Sequence, residues 1–229
     1  MQHLYLCVSD WHIGKLTDTF DVSVARDRAQ RLVDLWPEFD GPVHMLVLGD
    51  MVEGESCYPA QRAHVEHHAV DQVDIATELL SDHIEACRNA YDSFSVVAVP
   101  GNHGRTSRQA HSDANWDIEL YRRCGIRKTP QTYASRGILA THRGPKPTNT
   151  PTMWKKHLSR AARYEVNTIV HGHYHSPQVL NHAKLAVIYN GSLCGPDDYS
   201  DRLALYDPAC QVWFIREGGR VVQVGFCHL

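Results

Sequence analysis

Three features that would assign the chain to a common class are missing from its sequence. No hydrophobic run approaches the roughly 18 to 20 residues of a membrane-spanning helix, and the first residues show no cleavable leader pattern. The seven cysteines are scattered, odd in number and never spaced as Cys-x-x-Cys, which argues against a disulfide framework or a thiolate metal site. With 43% hydrophobic and 21% charged residues, the composition is that of a globular protein, which we expect in the cytoplasm.

The chain also has little net charge, a total of -3 that would ordinarily argue against a nucleic-acid-binding protein. This total conceals a segregation along the sequence. Residues 101–163 carry 13 Lys and Arg but three acidic residues, a net charge of +10, whereas residues 1–100 have a net charge of -11. Such asymmetry indicates an anionic partner more reliably than the sum does, although a solvated face of mixed helices would give the same composition.

Short apolar runs alternate with helical periodicity along most of the chain. Apolar runs that end in polar tips predict strands at residues 4–8, 43–48, 94–99, 137–141 and 167–170. Apolar residues at helical spacing predict helices at residues 21–36, 59–88, 115–124 and 152–164. Short strands are predicted at 187–189, 202–206, 212–216 and 221–226, with a turn at Glu217-Gly-Gly-Arg220 between the last two. This alternation is typical of a layered α/β fold, and we expect one domain, residues 1–229.

Side chains that can bind metal ions follow five of the predicted strands. In chain order they are Asp10 and His12, Asp50, Asn102 and His103, His142, and His173 and His175. In open α/β sheets, ligands collect at the carboxyl ends of the strands, so we expect these side chains to lie close together. Residues i and i+2 share a face of extended backbone, so that the members of each Asp-x-His or His-x-His pair can point at one ion. Mixed oxygen and nitrogen donors without thiolate suit Mn, Fe, Zn or a similar divalent ion.

In this order, the motifs resemble those of the calcineurin-like metallophosphoesterases. They are Asp10-x-His12, Gly49-Asp50-x-x-Glu53, Gly101-Asn102-His103, His142 and Gly172-His173-x-His175. The resemblance implies an α/β fold of four layers, in which two mixed β-sheets are flanked by helices and a two-metal site lies at the C-terminal ends of the strands. It implies one metal ion held by Asp10, His12, Asp50 and His175, and a second held by Asp50 as a bridge with Asn102, His142 and His173. His103 would be the catalytic histidine and not a ligand.

The chain departs from the usual family pattern at three positions beside these motifs. Glu53 stands where the family usually has Asp, Gly104 where an acid usually follows the histidine, and Arg143 where Gly often follows the fourth motif. All seven expected ligands are nevertheless present, which argues against a catalytically inactive relative. We therefore expect the departures to affect tuning and substrate choice, and the two-metal site to be intact.

A pair of divalent ions suits the hydrolysis of phosphoesters. The ions make hydroxide available near neutral pH, and they bind phosphoryl oxygens whose charge must be stabilised during displacement. We expect two Mn²⁺ ions, with Fe, Zn, Ni and Mg as alternatives. We expect His103 to protonate the leaving oxygen or to stabilise the charge that develops on it.

Arginines that follow the third and fourth motifs indicate the class of substrate. We expect Arg105 and Arg143 to bind substrate, because the planar guanidinium group pairs with two phosphate oxygens at once. Residues 101–163 contain more cations than a small phosphomonoester needs. These features favour a phosphodiesterase, a nuclease acting on DNA or an enzyme acting on a nucleotide. A phosphomonoesterase acting on a protein or nucleotide would use the same metals and stays an alternative.

Two further segments complete the sequence-based expectations. Gly101-Asn-His-Gly-Arg105 and Asn190-Gly-Ser-Leu193 resemble compact bacteriophage-encoded members of the family, which are distantly similar to SbcD-type repair nucleases. The resemblance implies work in the cytoplasm of an infected bacterial host, with no membrane partner. His64 and His68 are four residues apart in the predicted second helix, where we expect a solvated helix face.

Overall fold

Strands and helices alternate through the computed structural model, which describes residues 1–59, 61–196 and 207–229. In chain order they are β1 (Gln2–Val8), α1 (Val22–Leu35), β2 (Pro42–Val47), α2 (Ala69–Ala90), β3 (Ser93–Ala98), α3 (Trp116–Arg123), β4 (Tyr133–Ser135), β5 (Ile138–Thr141), α4 (Pro151–Tyr164), β6 (Thr168–His171), β7 (Gln178–His182), β8 (Leu185–Tyr189), β9 (Cys210–Glu217) and β10 (Arg220–His228). A 3₁₀ helix, Gln61–His64, precedes α2.

These strands form two mixed sheets of five strands each. The first sheet has the order β10-β9-β1-β2-β3, in which β1, β2 and β3 are parallel and the β9-β10 hairpin is antiparallel to β1. The second sheet has the order β4-β5-β6-β8-β7, in which β5, β6 and β8 are parallel. Because parallel strands end at the same edge of a sheet, each sheet delivers several strand ends to one place.

Strand β1 shows how the layers stack. Its alternate side chains Leu4, Leu6 and Val8 pack against α1 and α2, whereas Tyr5 and Cys7 pack against the second sheet. On the far side of the second sheet, α4 packs its apolar face on β6 and β8. The order of layers is therefore helices, sheet, sheet and helix, which confirms the expected four-layer α/β fold.

Most of the predicted elements are present within two or three residues of their expected bounds. The short strands β4 and β7 were not predicted, and the strand predicted at 202–206 lies outside the described residues. The turn at Glu217-Gly-Gly-Arg220 joins β9 to β10 as expected. No helix in the described ranges is both long enough and apolar enough to span a lipid bilayer.

The helix predicted from residue 59 is wrong over its first ten residues, since α2 begins at Ala69. The segment before it is tied to the loop that follows β1. Leu16 donates a backbone hydrogen bond to His64, and Glu66 donates one to Gly14. These long-range bonds replace the helical ones, so His64 and His68 do not share a helix face.

Candidate metal centre

The strand ends that carry the expected ligands meet at one edge, where the two sheets come together. From the first sheet, β1 is followed by Asp10 and His12, β2 by Asp50, and β3 by Asn102 and His103. From the second sheet, β5 is followed by His142, and β6 by His173 and His175. Seven of these side chains form two clusters, which we call site one (Asp10, His12 and His175) and site two (Asp50, Asn102, His142 and His173), and His103 lies beside them.

In site one, three donor atoms converge. His12 Nε2 lies 3.1 Å from His175 Nε2 and 3.9 Å from Asp10 Oδ1, and His175 Nε2 lies 3.4 Å from Asp10 Oδ1. The other nitrogen of His12, Nδ1, is 2.6 Å from Glu53 Oε2 and donates its proton there. Burial lowers the pKa of His12 in spite of Glu53, so the ring is neutral with a lone pair on Nε2. A cation between these atoms would relieve the repulsion between that lone pair and Asp10.

In site two, His142 corresponds to His12 of site one. Its Nδ1 donates to the backbone oxygen of Leu48 at 2.7 Å, which leaves Nε2 facing Asp50 Oδ2 at 2.9 Å and Asn102 Oδ1 at 3.0 Å. Although burial disfavours its charge, Asp50 and Asp10 raise the pKa of His142 to about 9. A metal ion can replace this proton, because imidazole, carboxylate and amide oxygen form a suitable donor set for a divalent cation.

Asp50 is common to both sites. One donor atom each of Asp50, His142 and His173 lie within 4.8 Å of one another, and the same holds for Asp10, His12 and Asp50. Burial opposes its ionisation, but His142 and His103 outweigh that cost and hold the pKa of Asp50 well below its usual range. The carboxylate is therefore charged and placed between the two clusters.

The backbone at the proposed ligands is in the left-handed region. Nine described residues other than glycine have positive φ, and five of them are Asp10 (55°), His12 (49°), Asp50 (53°), His173 (76°) and His175 (59°). Such conformations cost of order 1 to 3 kcal/mol each and cluster at functional sites. The expectation of extended backbone at these pairs is therefore wrong, although Asp10 and His12 still converge on site one. His173 and His175 instead diverge, one toward site two and the other toward site one.

Glu53 links site one to the expected catalytic histidine. Its Oε2 accepts from His12, and its Oε1 forms an ion pair with His103 Nδ1 at 3.1 Å. Burial disfavours the imidazolium form, but Glu53 and Asp50 raise the pKa of His103 to about 9. One carboxylate thus orients a candidate metal ligand and keeps a neighbouring histidine protonated.

A buried carboxylate that the sequence did not reveal holds the two loops of site two together. Asp117, at the start of α3, accepts hydrogen bonds from the backbone N–H groups of Asp50 (2.9 Å), Met51 (3.1 Å), Val52 (3.4 Å) and Gly101 (2.8 Å). Burial and the nearby Asp50 raise its pKa to about 6. No sequence motif marks this residue.

The loops after β2 and β3 approach each other so closely that position 101 requires glycine. A Cβ atom at this position would lie 2.1 Å from both the backbone nitrogen and Oδ1 of Asp50. Oδ1 of Asp50 also accepts from the backbone N–H groups of Asn102 and His103, at 2.6 and 2.7 Å. The loop after β3 can therefore wrap around the Asp50 carboxylate only because residue 101 has no side chain.

The Asp10 carboxylate is likewise held by hydrogen bonds, and the sequence did not predict them. Its Oδ2 accepts from Ser9 Oγ at 2.5 Å, and both of its carboxylate oxygens accept from the backbone N–H of His173. Ser9 Oγ in turn accepts from Asn190 Nδ2, which the sequence singled out, and the backbone N–H of Ser9 donates to Gln211 Oε1. The Asn190-Gly-Ser-Leu193 segment is thus a scaffold beneath site one.

Tyr58 is a further unpredicted neighbour of site two. Its hydroxyl accepts from Asn102 Nδ2 at 2.8 Å, which directs the amide oxygen toward His142. Its ring lies 4.8 Å from the ring of His103 and is 38% exposed. Tyr58 therefore orients one candidate ligand and forms part of the rim of the centre.

The two arginines expected to bind substrate lie on different sides of the centre. Arg105 is half-buried, and its Nε donates to the backbone oxygen of Asn102 at 3.2 Å. Arg143 is exposed. Burial is the main cause of the lowered pKa of His173, and the charge of Arg143 lowers it further. Both cations are thus beside site two, where an anionic substrate would approach.

Cys194 also lies at the centre, which the sequence did not indicate. Its Sγ is within 4.8 Å of donor atoms of His12 and His175, and it contacts Ser192 Oγ at 2.9 Å. All seven cysteines are described and none forms a disulfide. Most are buried among apolar side chains, as expected from their scatter.

Comparisons with known proteins identify the family of the chain. A model of the calcineurin-like phosphoesterase superfamily domain matches residues 4–209. A hypothetical protein from Pyrococcus horikoshii OT3 has a similar fold, with 12% identity, a TM-score of 0.51, and coverage of 99% of this chain and 88% of that chain. Other similar structures are a predicted phosphoesterase from Streptococcus pneumoniae TIGR4 (14% identity, TM-score 0.47, coverage 100% and 90%) and Vacuolar Protein Sorting 29 from Cryptosporidium parvum (16%, 0.48, 100% and 98%).

No curated protein matches the chain. At these identities the solved structures bear on the fold alone. The family match, by contrast, covers most of the sequence and includes every residue of the two sites. The chain therefore belongs to the calcineurin-like phosphoesterase superfamily.

Proposed function

We propose that the protein is a phosphodiesterase that hydrolyses nucleic acid, foremost DNA, with two divalent metal ions, foremost Mn²⁺. Family membership supports a metal-dependent phosphoesterase. The observation that carries the rest is the position of Asp50, whose carboxylate lies within 4.8 Å of donor atoms from both sites. A carboxylate shared by two cation sites suits a pair of ions, the arrangement that stabilises an in-line displacement at phosphorus.

The donor atoms would divide between the two ions as the resemblance implies. Site one would hold its ion through Asp10, His12 and His175, and site two through Asn102, His142 and His173, with Asp50 between them. The lone pair of His12 and the carboxylate of Asp10 face each other across site one, an arrangement that a cation stabilises. The mixed oxygen and nitrogen set fits Mn²⁺, Fe or Zn.

The protein's own groups supply the proton and orient the substrate. When bound by the residues of the two sites, the ions would supply an activated water nucleophile and would stabilise charge on the phosphoryl oxygens. His103, protonated beside Glu53, offers Nε2 as the donor to the leaving oxygen. Arg105 and Arg143, both beside site two, would bind the non-bridging oxygens of the phosphate.

Cations beyond the immediate centre favour a diester over a monoester. A small phosphomonoester has one phosphate and needs one or two cations, whereas a polynucleotide presents a phosphate at each residue. Residues 101–163 have a net charge of +10. The resemblance to SbcD-type nucleases and to bacteriophage-encoded members, with action in a host cytoplasm, belongs to the same proposal.

Hydrolysis of bis(4-nitrophenyl) phosphate and of 4-nitrophenyl phosphate, compared in Mn²⁺, Mg²⁺ and Zn²⁺, tests the proposal. We expect faster turnover of the diester, fastest in Mn²⁺, and cleavage of DNA under the same conditions. Asp50→Asn serves as the blank. Preference for the monoester without DNA cleavage would show a phosphomonoesterase instead, and equal activity of the blank would contradict the two-metal assignment.

A further inference from the structure

One segment next to the metal centre carries cations and no acid. From Arg143 to Arg163, the loop after β5 and helix α4 contain six Lys and Arg and not a single Asp or Glu. The six cations are Arg143, Lys146, Lys155, Lys156, Arg160 and Arg163. We call them the α4 basic surface.

Three cations on the opposite helical layer, unlike these, lie beside acids. Arg26 pairs with Glu78, Arg31 lies 3.9 Å from Asp27, and Arg123 pairs with Asp74 and Glu119. Within the described ranges, by contrast, no cation of the α4 basic surface forms an ion pair. Like charges brought together without acids repel one another, so a surface of this composition favours an anionic partner.

The α4 basic surface is continuous with the metal centre. It begins at Arg143, directly after the candidate ligand His142. Arg160, on the third turn of α4, reaches back to the backbone oxygen of Arg143 at 3.5 Å. An anion bound at the metal centre can therefore extend onto α4 without crossing an acidic region.

An open groove lies along the first turns of α4. Its volume is about 440 Å³, and it is lined by Asn149, Pro151, Trp154, Lys155, Leu158 and His182. Lys155 and the next residue, Lys156, are both exposed. The groove thus has apolar walls beside the ammonium group of Lys155, and Lys156 adds a second exposed cation next to it, which suits a partner that carries phosphates.

We propose that the α4 basic surface is a second binding site for the phosphate backbone of a nucleic acid, which it holds while one phosphate occupies the metal centre. This role deepens the proposed function and rests on it. The 14 residues of α4 span about 21 Å at 1.5 Å per residue. One strand of B-DNA presents a phosphate about every 3.4 Å along its axis, so the helix is long enough to follow about six phosphates.

The substitution pair Lys155→Ala/Lys156→Ala tests this site, because both side chains are exposed and the variant keeps the apolar face of α4. Binding of a fluorescein-labelled 20-base-pair DNA duplex is measured in the Asp50→Asn background between 50 and 300 mM salt. We expect affinity at 0.1 M salt to fall about tenfold or more, and the slope of log K against log salt to flatten by about 1.8. Thermal unfolding confirms that both variants are folded.

Arg26→Ala/Arg31→Ala is the matched control, since it removes two charges from the opposite layer. We expect its affinity and salt slope to equal those of the parent. Equal losses in both pairs, or no loss in the lysine pair, would overturn the proposal. Binding to phosphatidylserine vesicles without binding to DNA would overturn it as well.

Turnover separates this inference from the proposed function. Bis(4-nitrophenyl) phosphate is too small to reach α4, so the lysine pair should slow cleavage of DNA and leave hydrolysis of the small diester unchanged. If the small diester is hydrolysed and the lysine pair binds DNA normally, the second site is refuted and the activity stands. If the protein binds DNA through α4 but hydrolyses no diester, the activity is refuted and the second site stands.

Discussion

The two sheets bring different chemistry to the edge at which they meet. Among the described residues, the carboxylates of the centre belong to the first sheet and its helices: Asp10, Asp50, Glu53 and Asp117. The candidate ligands that follow strands of the second sheet are imidazoles: His142, His173 and His175. One sheet therefore supplies the negative charge that balances metal ions, and the other supplies neutral ligands.

This division extends beyond the centre. The acidic first hundred residues build most of the first sheet, whereas α4 covers the second sheet with the unpaired α4 basic surface. The negative charge that attracts metal ions and the positive charge of α4 that attracts phosphate thus lie on opposite layers. The two regions of charge meet at the metal centre, where the reaction would occur. Substitutions on the two sides should consequently fail in different ways.

The largest effect is expected from removing the shared carboxylate. Asp50→Asn takes a negative charge from both sites, so metal content should fall and hydrolysis of bis(4-nitrophenyl) phosphate should drop to background. His173→Gln removes a neutral ligand from the second sheet and leaves every carboxylate in place. Its turnover should be restored by added Mn²⁺, as measured by activity against metal concentration together with bound metal. If both variants lose the same activity and added Mn²⁺ restores neither, the carboxylates of the first sheet and the imidazoles of the second sheet do not differ in the proposed way.

A smaller loss is expected at His103, which acts beside the ions without binding them. His103→Ala should lower turnover about 10²- to 10⁴-fold, the usual contribution of a positioned acid, while metal content is unchanged. His111→Ala is the matched control, since His111 is an exposed histidine of the same loop region. Unchanged turnover in His103→Ala would remove this residue from the mechanism.

The smallest effect is expected at Asp117, which touches no substrate. Asp117→Asn replaces an acceptor of four backbone N–H groups with a side chain that can accept through one oxygen only. We expect the Mn²⁺ concentration for half-maximal activity to rise about 10- to 100-fold, with near-normal turnover at saturating metal. Asp113→Asn, at an exposed position close by in sequence, should behave like the parent. A lower turnover at saturating metal with an unchanged requirement for Mn²⁺ would contradict the positioning role.

The sequence predicted the architecture and the assembly of the centre well, for a physical reason. Each candidate ligand follows a buried strand, and strand ends are local signals that meet at one edge once the strands are parallel. Asp10, Asp50 and His142 could thus be grouped before any contact was known. The strand and helix bounds also depend mostly on local periodicity.

What the sequence missed depends on contacts that form only in the folded chain. Asp117 serves backbone N–H groups about 65 residues away, and these groups have no sequence signature. The false helical start before Ala69 has the same origin, since residues 64 and 66 bond to the loop after β1. Extended backbone would align His173 and His175 on one ion, but positive φ values separate them, a division that only the resemblance implied.

At the five candidate ligands with left-handed backbone, protein stability and metal binding favour different residues. Glycine adopts positive φ without strain, so a glycine at position 10, 12, 50, 173 or 175 would relieve backbone strain while it deletes a donor atom. A screen for heat-resistant variants in a chelating buffer would therefore enrich changes at the positions that matter most for metal binding. Thermostabilised forms of this protein should accordingly be selected with metal present, so that the energy of ion binding opposes the loss of its ligands.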